Sequence, residues 1–452
     1  MEFVHRPYLP GQTIAAIATA PGEAGIAIVR ISGADAIAIA EKVFSKPVSA
    51  LNSHTVHYGK IIWQEELLDD VLLIVMKAPR SFTGEDTVEI QCHGGLTAKR
   101  VLEVVLLAGA KAASPGEFSF KAYMNGKMDL AQAEAIQAKI GAKNELALAS
   151  AQEQLEGKLS AKVRHFQTLL VDIVAIFEAW VDFPEEGLEF RPFDEVVATL
   201  QRLLDDMAAL IKSFHQGKIL HDGVAVALVG SPNVGKSSLM NALLGKERVI
   251  VSPIAGTTRD LVEDDLRLNN LHLRLIDTAG IRETKELIEE EGIRRSKKSI
   301  ERADVVLYVL DATSPDPVMF DLPTDKTIAI WNKIDMEHAR PLPKLGFKEV
   351  VEVSALHSVG LEALHEAIDR LIWREGEMSR DEVVISSLRH KEALQEAHDA
   401  CYQALQGLKS GVSPEFVSID TRASLQALGT IIGTNITEDI ITRVFSKFCI
   451  GK

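Results

Sequence analysis

Cysteine is scarce in this chain, and its scarcity excludes two kinds of architecture. The 452 residues include only three cysteines, Cys92, Cys401 and Cys449, and these lie far apart in the sequence. Three scattered thiols are too few for a disulfide framework, and they lack the paired spacing of a zinc site. We therefore expect neither disulfides nor a structural zinc ion.

An excess of positive charge and long apolar runs are also absent. The 49 Lys and Arg residues are outnumbered by 64 Asp and Glu residues, which gives a net charge of −15. This balance argues against a protein covered in nucleic-acid-binding surface, but it leaves room for a local basic patch. No apolar run approaches membrane-spanning length, and no signal-peptide pattern begins the chain. We expect a cytoplasmic protein with no membrane contact.

A strand, a glycine-rich loop and a helix are predicted in direct succession. The apolar run VAVALV (224–229) is typical of a buried parallel strand, and it is followed by GSPNVGKS (230–237) and the helical SSLMNALL. In such a loop, backbone N–H groups face a phosphate at the positive end of the helix. Lys236 would bridge the β- and γ-phosphates, and the Ser237 hydroxyl would bind Mg²⁺. The predicted nucleotide contacts here are Asn233, Val234, Gly235, Lys236, Ser237 and Ser238.

The base is predicted to be guanine. Asn332, Lys333 and Asp335 follow the predicted strand TIAIWN (327–332). Asp335 can accept hydrogen bonds from N1–H and the N2 amino group of guanine, whereas adenine would leave this carboxylate unpaired. Ser354 and Ala355, after the strand VVEV, would add a backbone donor to guanine O6.

Two switch segments are predicted downstream of the phosphate loop. Thr258, within GTTRD (256–260), is the predicted Mg²⁺ ligand, and a hairpin around Asn269-Asn270 leads to DTAG (277–280). Asp277 would hold a Mg²⁺-bound water, and the Gly280 N–H would meet the γ-phosphate. The predicted contacts in these segments are Gly256, Thr257, Thr258, Asp277, Thr278, Ala279 and Gly280. Together, the ordered motifs predict a GTPase.

The residue after DTAG is unusual for a GTPase. Ras-type GTPases have a glutamine there that orients the attacking water, whereas this chain has Ile281, which cannot hydrogen-bond through its side chain. Either hydrolysis is negligible or another group orients the water. Composition does not distinguish among the nearby carboxylates Glu283, Glu286, Glu289, Glu290 and Glu291.

The remaining sequence predicts further domains around the GTPase. Residues from about 13 to 120 have an α+β pattern, with strands in TIAAIAT, GIAIVRI, VLLIVMKA and DTVEIQC and helices beginning near Ala34 and Leu96. A long Ala-rich helical stretch over 129–182 ends before Pro184, and further helices are predicted over 193–216, 389–408 and 424–448.

The domain boundaries follow from these patterns. We predict an N-terminal domain over 1–120, a helical domain over 121–216 and 377–452, and a GTPase domain over 217–376 inserted between the helical parts. An independent C-terminal bundle of about 75 residues is the less favoured alternative, because two or three helices make a thin core.

Four segments outside the GTPase core resemble the MnmE (TrmE) family of tRNA-modification GTPases. They are FTGEDTVEIQCHGG (82–95), SPGEFSFKAYMNGKMDLAQAEAI (114–136), DFPEE (182–186) and FCIGK (448–452). The resemblance extends from about Ile14 to Lys452. It implies a multidomain fold with an α+β folate-binding-like N-terminal domain, an all-α helical domain and an inserted α/β P-loop GTPase domain.

The resemblance also implies a function. Members of the family act with the flavoprotein MnmG, in a heterotetramer or larger complex, to attach an aminomethyl-type group to C5 of the wobble uridine of tRNA. The N-terminal domain forms a constitutive homodimer and binds a 5-formyl- or methylene-tetrahydrofolate. GTP hydrolysis accompanies K⁺-dependent pairing of two GTPase domains.

Residue roles implied by the resemblance fall on matching positions. Glu289 would orient the attacking water. The K⁺ ligands would be Asn233, Ser252, Ile254 and Thr257, in a nucleotide-contacting loop that also includes Pro253 and Ala255. The folate contacts would be Arg30, Glu89, Lys127 and Lys452.

Cys449 lies in the FCIGK tail, which the resemblance places beside the folate pocket. It is a candidate modification-site residue without an assigned chemical step, and a buried structural thiol is the competing interpretation. The final Ile-Gly-Lys lacks the last residue expected of a prenylation signal.

Two other functions are considered. A ribosome-associated switch GTPase would also lack the glutamine, but a basic RNA-binding module would be expected after its GTPase domain, where this chain is acidic and helical. A free-standing folate-dependent transferase would not explain the GTPase motifs.

Overall fold

The computed structural model describes residues 12–182, 193–246, 265–268, 271–276, 300–314, 320–373 and 383–452. The chain divides into two compact units. The first unit combines Met1–Ile140, Gln152–Ala208 and Glu392–Lys452, and the second combines Gly141–Ala151 and Ala209–Lys391. The second unit therefore interrupts the first in sequence.

The first unit contains a six-stranded sheet with two helices packed against one face. The strands are β1 (Ile14–Ile17), β2 (Ala27–Ser32), β3 (Thr55–Trp63), β4 (Glu66–Met76), β5 (Thr87–Cys92) and β6 (Lys111–Ala112), in the order β3-β4-β5-β2-β1-β6. Only the short β1–β6 pair is parallel. The helices are α1 (Ala36–Val43) and α2 (Leu96–Leu107). The predicted strands and helices of this region are confirmed, and β3 and β6 are additional strands.

Side-chain alternation gives this sheet two different faces. Val29, Ile31, Val88 and Ile90 are fully buried beneath the helices, and each contributes about 1.5–3 kcal/mol by leaving water. The residues between them face the other way. Among these, Arg30 of β2 lies directly opposite Glu89 of β5 in the antiparallel register.

The Ala-rich stretch forms several helices instead of one. They are α4 (Leu130–Gly141), α5 (Glu145–Leu155) and α6 (Lys158–Asp182), while α3 (Glu117–Met124) precedes the stretch and α7 (Phe193–Lys212) follows it. The prediction of one long helix over 129–182 is therefore wrong. The chain leaves the helical path at Gly157, which has a φ of +89° that glycine adopts without the steric cost of a Cβ.

The second unit is a mostly parallel sheet with helices. It contains α8 (Phe214–Asp222), β7 (Val224–Val229), α9 (Lys236–Lys246), β8 (Asp265–Leu268), β9 (Leu271–Ile276), β10 (Val305–Asp311), β11 (Thr327–Asn332), β12 (Glu349–Val353) and α10 (Leu361–Ile372). The strand order is β12-β11-β10-β7-β9-β8, and only the β8–β9 hairpin is antiparallel. The predicted strands and hairpin are confirmed, whereas the turn residues Asn269 and Asn270 lie outside the described residues.

The C-terminal helices return to the first unit. They are α11 (Leu388–Lys409), α12 (Pro414–Ile432) and α13 (Glu438–Phe445). α12 packs along α6, and α13 packs on α3, where the rings of Phe445 and Phe120 lie 5.3 Å apart. These contacts confirm that the C-terminal helices pack on the earlier ones. The predicted single helix over 424–448 is wrong, because Gly433 ends α12 with a φ of +92°.

None of the described helices is both long enough and apolar enough to cross a membrane.

Candidate functional site

The phosphate loop lies between β7 and α9, at the carboxyl edge of the parallel sheet. Gly230 follows β7 with a φ of +151°, and a Cβ there would lie 2.4 Å from the Val309 carbonyl oxygen of β10. Gly235 precedes α9 with a φ of +99°, and a Cβ there would lie 2.2 Å from the Asn332 amide nitrogen. Packing against β10 and against the end of β11 therefore requires glycine at both ends of the motif, in addition to the access that a phosphate needs.

Lys236 directs its ammonium group into this loop. Its Nζ donates hydrogen bonds to the carbonyl oxygens of Gly230 and Ser231, both at 2.7 Å. Burial lowers the pKa of the Lys236 side chain. The oxygens of a bound phosphate can accept hydrogen bonds from the same Nζ–H groups, and their negative charge would favour the ammonium form of Lys236. The position of Lys236 thus suits the contact predicted for it.

Asn332 joins three loops at the edge of the sheet. The residue is 1% exposed, and its Nδ2 donates to the Val234 carbonyl oxygen of the phosphate loop at 2.9 Å. Its Oδ1 accepts from the N–H of Ala355 at 3.1 Å, in the loop after β12. The structure thus uses the Ala355 N–H, one of the two backbone N–H groups predicted as candidate donors to guanine O6, for a contact inside the protein. Asn332 positions the surrounding loops, and its contact with nucleotide stays a prediction.

Asp335 lies beside the loop that follows β12. A hydrogen bond from Ser354 lowers the pKa of the Asp335 carboxyl, and His357, whose Nε2 lies 3.6 Å from Asp335 Oδ2, also lowers it. The Asp335 side chain remains 20% exposed. An ionised and accessible carboxylate at this edge is suited to accept the two hydrogen bonds that guanine offers.

Two parts of the phosphate loop fit metal ions. Ser237 and Ser238 are exposed at the amino end of α9, and the Ser237 hydroxyl oxygen is a ligand type that Mg²⁺ accepts. Asn233 is also exposed, and its amide oxygen fits a monovalent cation. The other predicted residues of this site lie outside the described residues: Ser252, Pro253, Ile254, Ala255, Gly256, Thr257, Thr258, Asp277, Thr278, Ala279, Gly280, Ile281 and Glu289.

A second candidate site surrounds Arg30 in the first unit. Arg30 Nε donates to Glu89 Oε1 at 2.8 Å, and Arg30 Nη1 donates to the Gly451 carbonyl oxygen at 3.1 Å. Burial and the nearby charge of Arg30 lower the pKa of Lys452, although Glu89 partly opposes this effect. The structure therefore brings together three of the four predicted folate contacts, Arg30, Glu89 and Lys452. Two cations beside one carboxylate suit a ligand that carries negative charge.

The fourth predicted contact has a different partner. Lys127 Nζ donates to the Pro79 carbonyl oxygen at 3.1 Å. Cys449 is exposed, so the interpretation of this residue as a buried structural thiol is wrong. Its carbonyl oxygen accepts a 3.4 Å hydrogen bond from the N–H of Lys452, which forms a turn next to the Arg30 cluster.

Two contributors to this cluster are not predicted by the sequence patterns. Phe118 of α3 places its ring 5.6 Å from the Arg30 guanidinium, a cation–π distance. The Gly451 carbonyl accepts from Arg30, and Gly451 has a φ of +94°. The sequence offers one signal for this contact, a glycine next to Lys452. Nothing local in the sequence connects that glycine to β2, which lies more than 400 residues earlier.

Comparison with known proteins covers the whole chain. Two family models match, GTP-binding protein TrmE N-terminus over residues 13–127 and MnmE helical domain over residues 130–449. The chain is 58% identical over 459 residues to the tRNA modification GTPase MnmE of Protochlamydia amoebophila, covering 100% of both chains. It is 43% identical to the tRNA modification GTPase MnmE of Thermoanaerobacter pseudethanolicus, covering 97% of this chain and 99% of that protein.

Among solved structures, the G domain of the T. maritima FeoB iron transporter is similar to part of the chain. It is 28% identical, covers 33% of this chain and 98% of that domain, and has a TM-score of 0.24. The family assignment depends instead on the two family models and on identity over essentially the full length of the relatives. On those grounds the chain belongs to the MnmE family of tRNA modification GTPases.

Proposed function

We propose that this GTPase acts with the flavoprotein MnmG to attach an aminomethyl-type group to C5 of the wobble uridine of tRNA. The observation that carries the proposal is the presence in one chain of a phosphate loop with Lys236 and of the charged cluster around Arg30. Full-length identity to proteins named tRNA modification GTPases supports tRNA as the substrate. The work would take place in the cytoplasm.

In this proposal GTP turnover depends on K⁺ and Mg²⁺. Asn233 has a φ of +64°, and its carbonyl oxygen accepts a 2.8 Å hydrogen bond from Lys333 Nζ, which fixes its backbone and supports a ligand role for its side chain. A monovalent cation held there would supply positive charge to the phosphates as negative charge develops. The further proposed K⁺ ligands are Ser252, Ile254 and Thr257, and the proposed Mg²⁺ ligands are Ser237 and Thr258.

Glu289 is the proposed residue that orients the attacking water. The argument is chemical, since Ile281 offers no hydrogen-bonding group at the position where Ras-type GTPases use glutamine. A carboxylate from the same segment can accept a hydrogen bond from the attacking water and so hold that water in line with the γ-phosphate.

The cluster around Arg30 is the proposed site for a 5-formyl- or methylene-tetrahydrofolate, which would supply the one-carbon unit. Arg30 and Glu89 are in direct contact, so with Lys452 they would bind polar groups at one end of the folate, and Lys127 is a further proposed contact. Arg30 uses two of its five N–H donors in the contacts to Glu89 and Gly451, so donors remain for a ligand.

A homodimer through the N-terminal domain completes the proposal. The outer face of β3 and β4 exposes five large apolar side chains on the side of the sheet away from α1 and α2, namely Val56, Tyr58, Ile62, Leu67 and Leu72. The exposed Lys60–Asp70 pair lies between these apolar side chains, and a cluster of exposed apolar residues of this kind is typical of an interaction surface. A second copy of the chain is its proposed occupant.

The proposal is tested by comparing GTP hydrolysis in KCl and NaCl at equal ionic strength. We expect turnover to be roughly tenfold or more faster in KCl, because a positioned charge at the phosphates is worth at least that factor. Asn233→Ala should remove the difference while GTP binding persists. Equal rates in the two salts would contradict the cation mechanism. Failure of the gene to restore wobble-uridine modification in a strain lacking its own enzyme would contradict the tRNA function.

A further inference from the structure

Asp311 ends β10 at the same sheet edge as the nucleotide site, and no motif identified in the sequence includes it. Its register partner is Asn332, the last residue of β11. Asn332 also begins the segment Asn332–Asp335 that is predicted to contact guanine, which we call the base loop. Oδ2 of Asp311 accepts a 2.6 Å hydrogen bond from Lys333 Nζ, and Oδ1 accepts from the N–H and the hydroxyl of Thr313 at 2.9 and 2.7 Å. The Asp311 side chain is only 17% exposed.

Lys333 connects this carboxylate to the phosphate loop. Its Nζ donates both to Asp311 and to the Asn233 carbonyl oxygen, at 2.8 Å. The neighbouring Asn332 donates to the next carbonyl of the same loop, that of Val234. Consecutive residues of the base loop therefore bind consecutive carbonyls of the phosphate loop.

The backbone at both ends of this connection is in a disfavoured conformation. Lys333 has a φ of +69° and Asn233 a φ of +64°, which residues other than glycine seldom adopt. Such conformations persist where the surrounding contacts determine them. Asp311 is the ionic partner that holds the Lys333 ammonium at the contact between the two loops.

We propose that Asp311 is a positioning residue for guanine-nucleotide binding, which locks the base loop to the phosphate loop through Lys333 before a nucleotide arrives. The inference rests on the proposed nucleotide site, and it adds a residue that does not itself touch the nucleotide. Without the Asp311 charge, Lys333 would lose its ionic partner. Nucleotide binding would then have to order the base loop and the phosphate loop, which would weaken the affinity for nucleotide.

The test is a double-mutant cycle on the full-length protein, with a fluorescent N-methylanthraniloyl-GDP as the probe. Asp311→Asn should raise the Kd about tenfold, and Lys333→Met should raise it at least as much. If Asp311 acts through Lys333, adding Asp311→Asn to Lys333→Met should raise the Kd no further. Additive effects, or an unchanged Kd in Asp311→Asn, would overturn the proposal.

Thr313→Val is the matched control, because it removes one contact to the same carboxylate and leaves the Lys333 pair in place. Its Kd should stay within about twofold of the wild-type value. An equal loss of affinity in Thr313→Val and Asp311→Asn would assign the effect to the loop after β10 and overturn the inference. Thermal melts of the nucleotide-free variants verify that each one is folded. If the wild-type protein failed to bind the probe, the proposed nucleotide site itself would be wrong.

Discussion

Single charged residues distinguish the two candidate sites from the ordinary surface. Arg30 and Arg100 are both paired with glutamates, at 2.8 Å to Glu89 and 3.6 Å to Glu66, but Arg100 is 54% exposed and Arg30 only 16%. Burial reduces solvent screening, so Arg30 attracts an anion more strongly than an exposed arginine does. Lys452 belongs to the same cluster, since burial and the nearby charge of Arg30 both lower the pKa of its side chain.

We predict that Arg30→Gln lowers affinity for 5-formyltetrahydrofolate by roughly tenfold to a hundredfold, since a charge-assisted hydrogen bond contributes about 1.5–3 kcal/mol. Isothermal titration calorimetry with the folded protein measures the change. Arg100→Gln is the matched control, and its affinity should equal that of the wild type. If the wild type, Arg30→Gln and Arg100→Gln bound 5-formyltetrahydrofolate equally well, Arg30 would not be part of the folate site.

The second prediction concerns Asp335, which we expect to select guanine over other bases. Asp335→Asn should weaken GTP binding by roughly tenfold or more, because an amide nitrogen then faces the donors of guanine. The same variant should gain affinity for xanthosine triphosphate, whose C2 carbonyl accepts a hydrogen bond from the new amide. Competition titrations with the two nucleotides measure the reversal, and Glu337→Gln, an exposed neighbour, is the control. Unchanged GTP affinity in Asp335→Asn would contradict the assignment.

At the scale of elements, the terminal turn illustrates how one glycine positions a segment. Gly451 has a φ of +94°, and a Cβ there would lie 2.5 Å from the Ile17 carbonyl oxygen of β1. Gly411, between α11 and α12, has a similar φ of +75°, but a Cβ at that position would have no neighbouring atom within 4 Å. Alanine substitutions at Gly451 and Gly411 therefore separate displacement of a turn by a steric clash from the cost of a left-handed backbone alone.

We predict that Gly451→Ala displaces the terminal turn, moves the backbone carbonyl of residue 451 away from Arg30, and weakens folate binding. Gly411→Ala should cost about 1–2 kcal/mol of stability for its left-handed backbone, while folate affinity stays unchanged. Thermal unfolding and folate titration of both variants measure the two effects. If the two variants had the same folate affinity, docking of the tail would not matter to the site.

Elements with a strong local pattern could be predicted from the sequence, and those defined by distant contacts could not. β7, β10 and β11 are mostly apolar runs, and each ends at a glycine or a polar residue (Gly230 after β7, Asp311 in β10 and Asn332 in β11), so both the strands and the loops that follow them are predictable. By contrast, the breaks at Gly157 and Gly433 lie within helical patterns, where one glycine does not reveal whether the chain turns. The Arg30–Gly451 hydrogen bond and the Asp311–Lys333 ion pair depend on strand register and tertiary packing.

At the scale of the whole molecule, the outer face of β3 and β4 matters most. Tyr58 and Leu72 are cross-strand partners that are 60% and 38% exposed, and Ile62 and Leu67 form a second such pair. Apolar pairs at this exposure contribute little to the stability of the isolated chain, but burying them against a second copy would remove both pairs from water.

We predict that Val56→Asp combined with Leu72→Asp converts a dimer into a monomer, because dimerisation would then bury unpaired carboxylates. Sedimentation velocity at micromolar concentration measures the change, and circular dichroism verifies that the variant is folded. Leu107→Asp is the matched control, since Leu107 is 66% exposed on α2 and lies outside this face. If K⁺-dependent turnover requires two GTPase domains to pair, the monomer should still bind GTP but lose the acceleration by KCl. A variant that stayed dimeric would place the interface elsewhere, and a monomer with full K⁺-stimulated turnover would show that pairing through this face is not needed for hydrolysis.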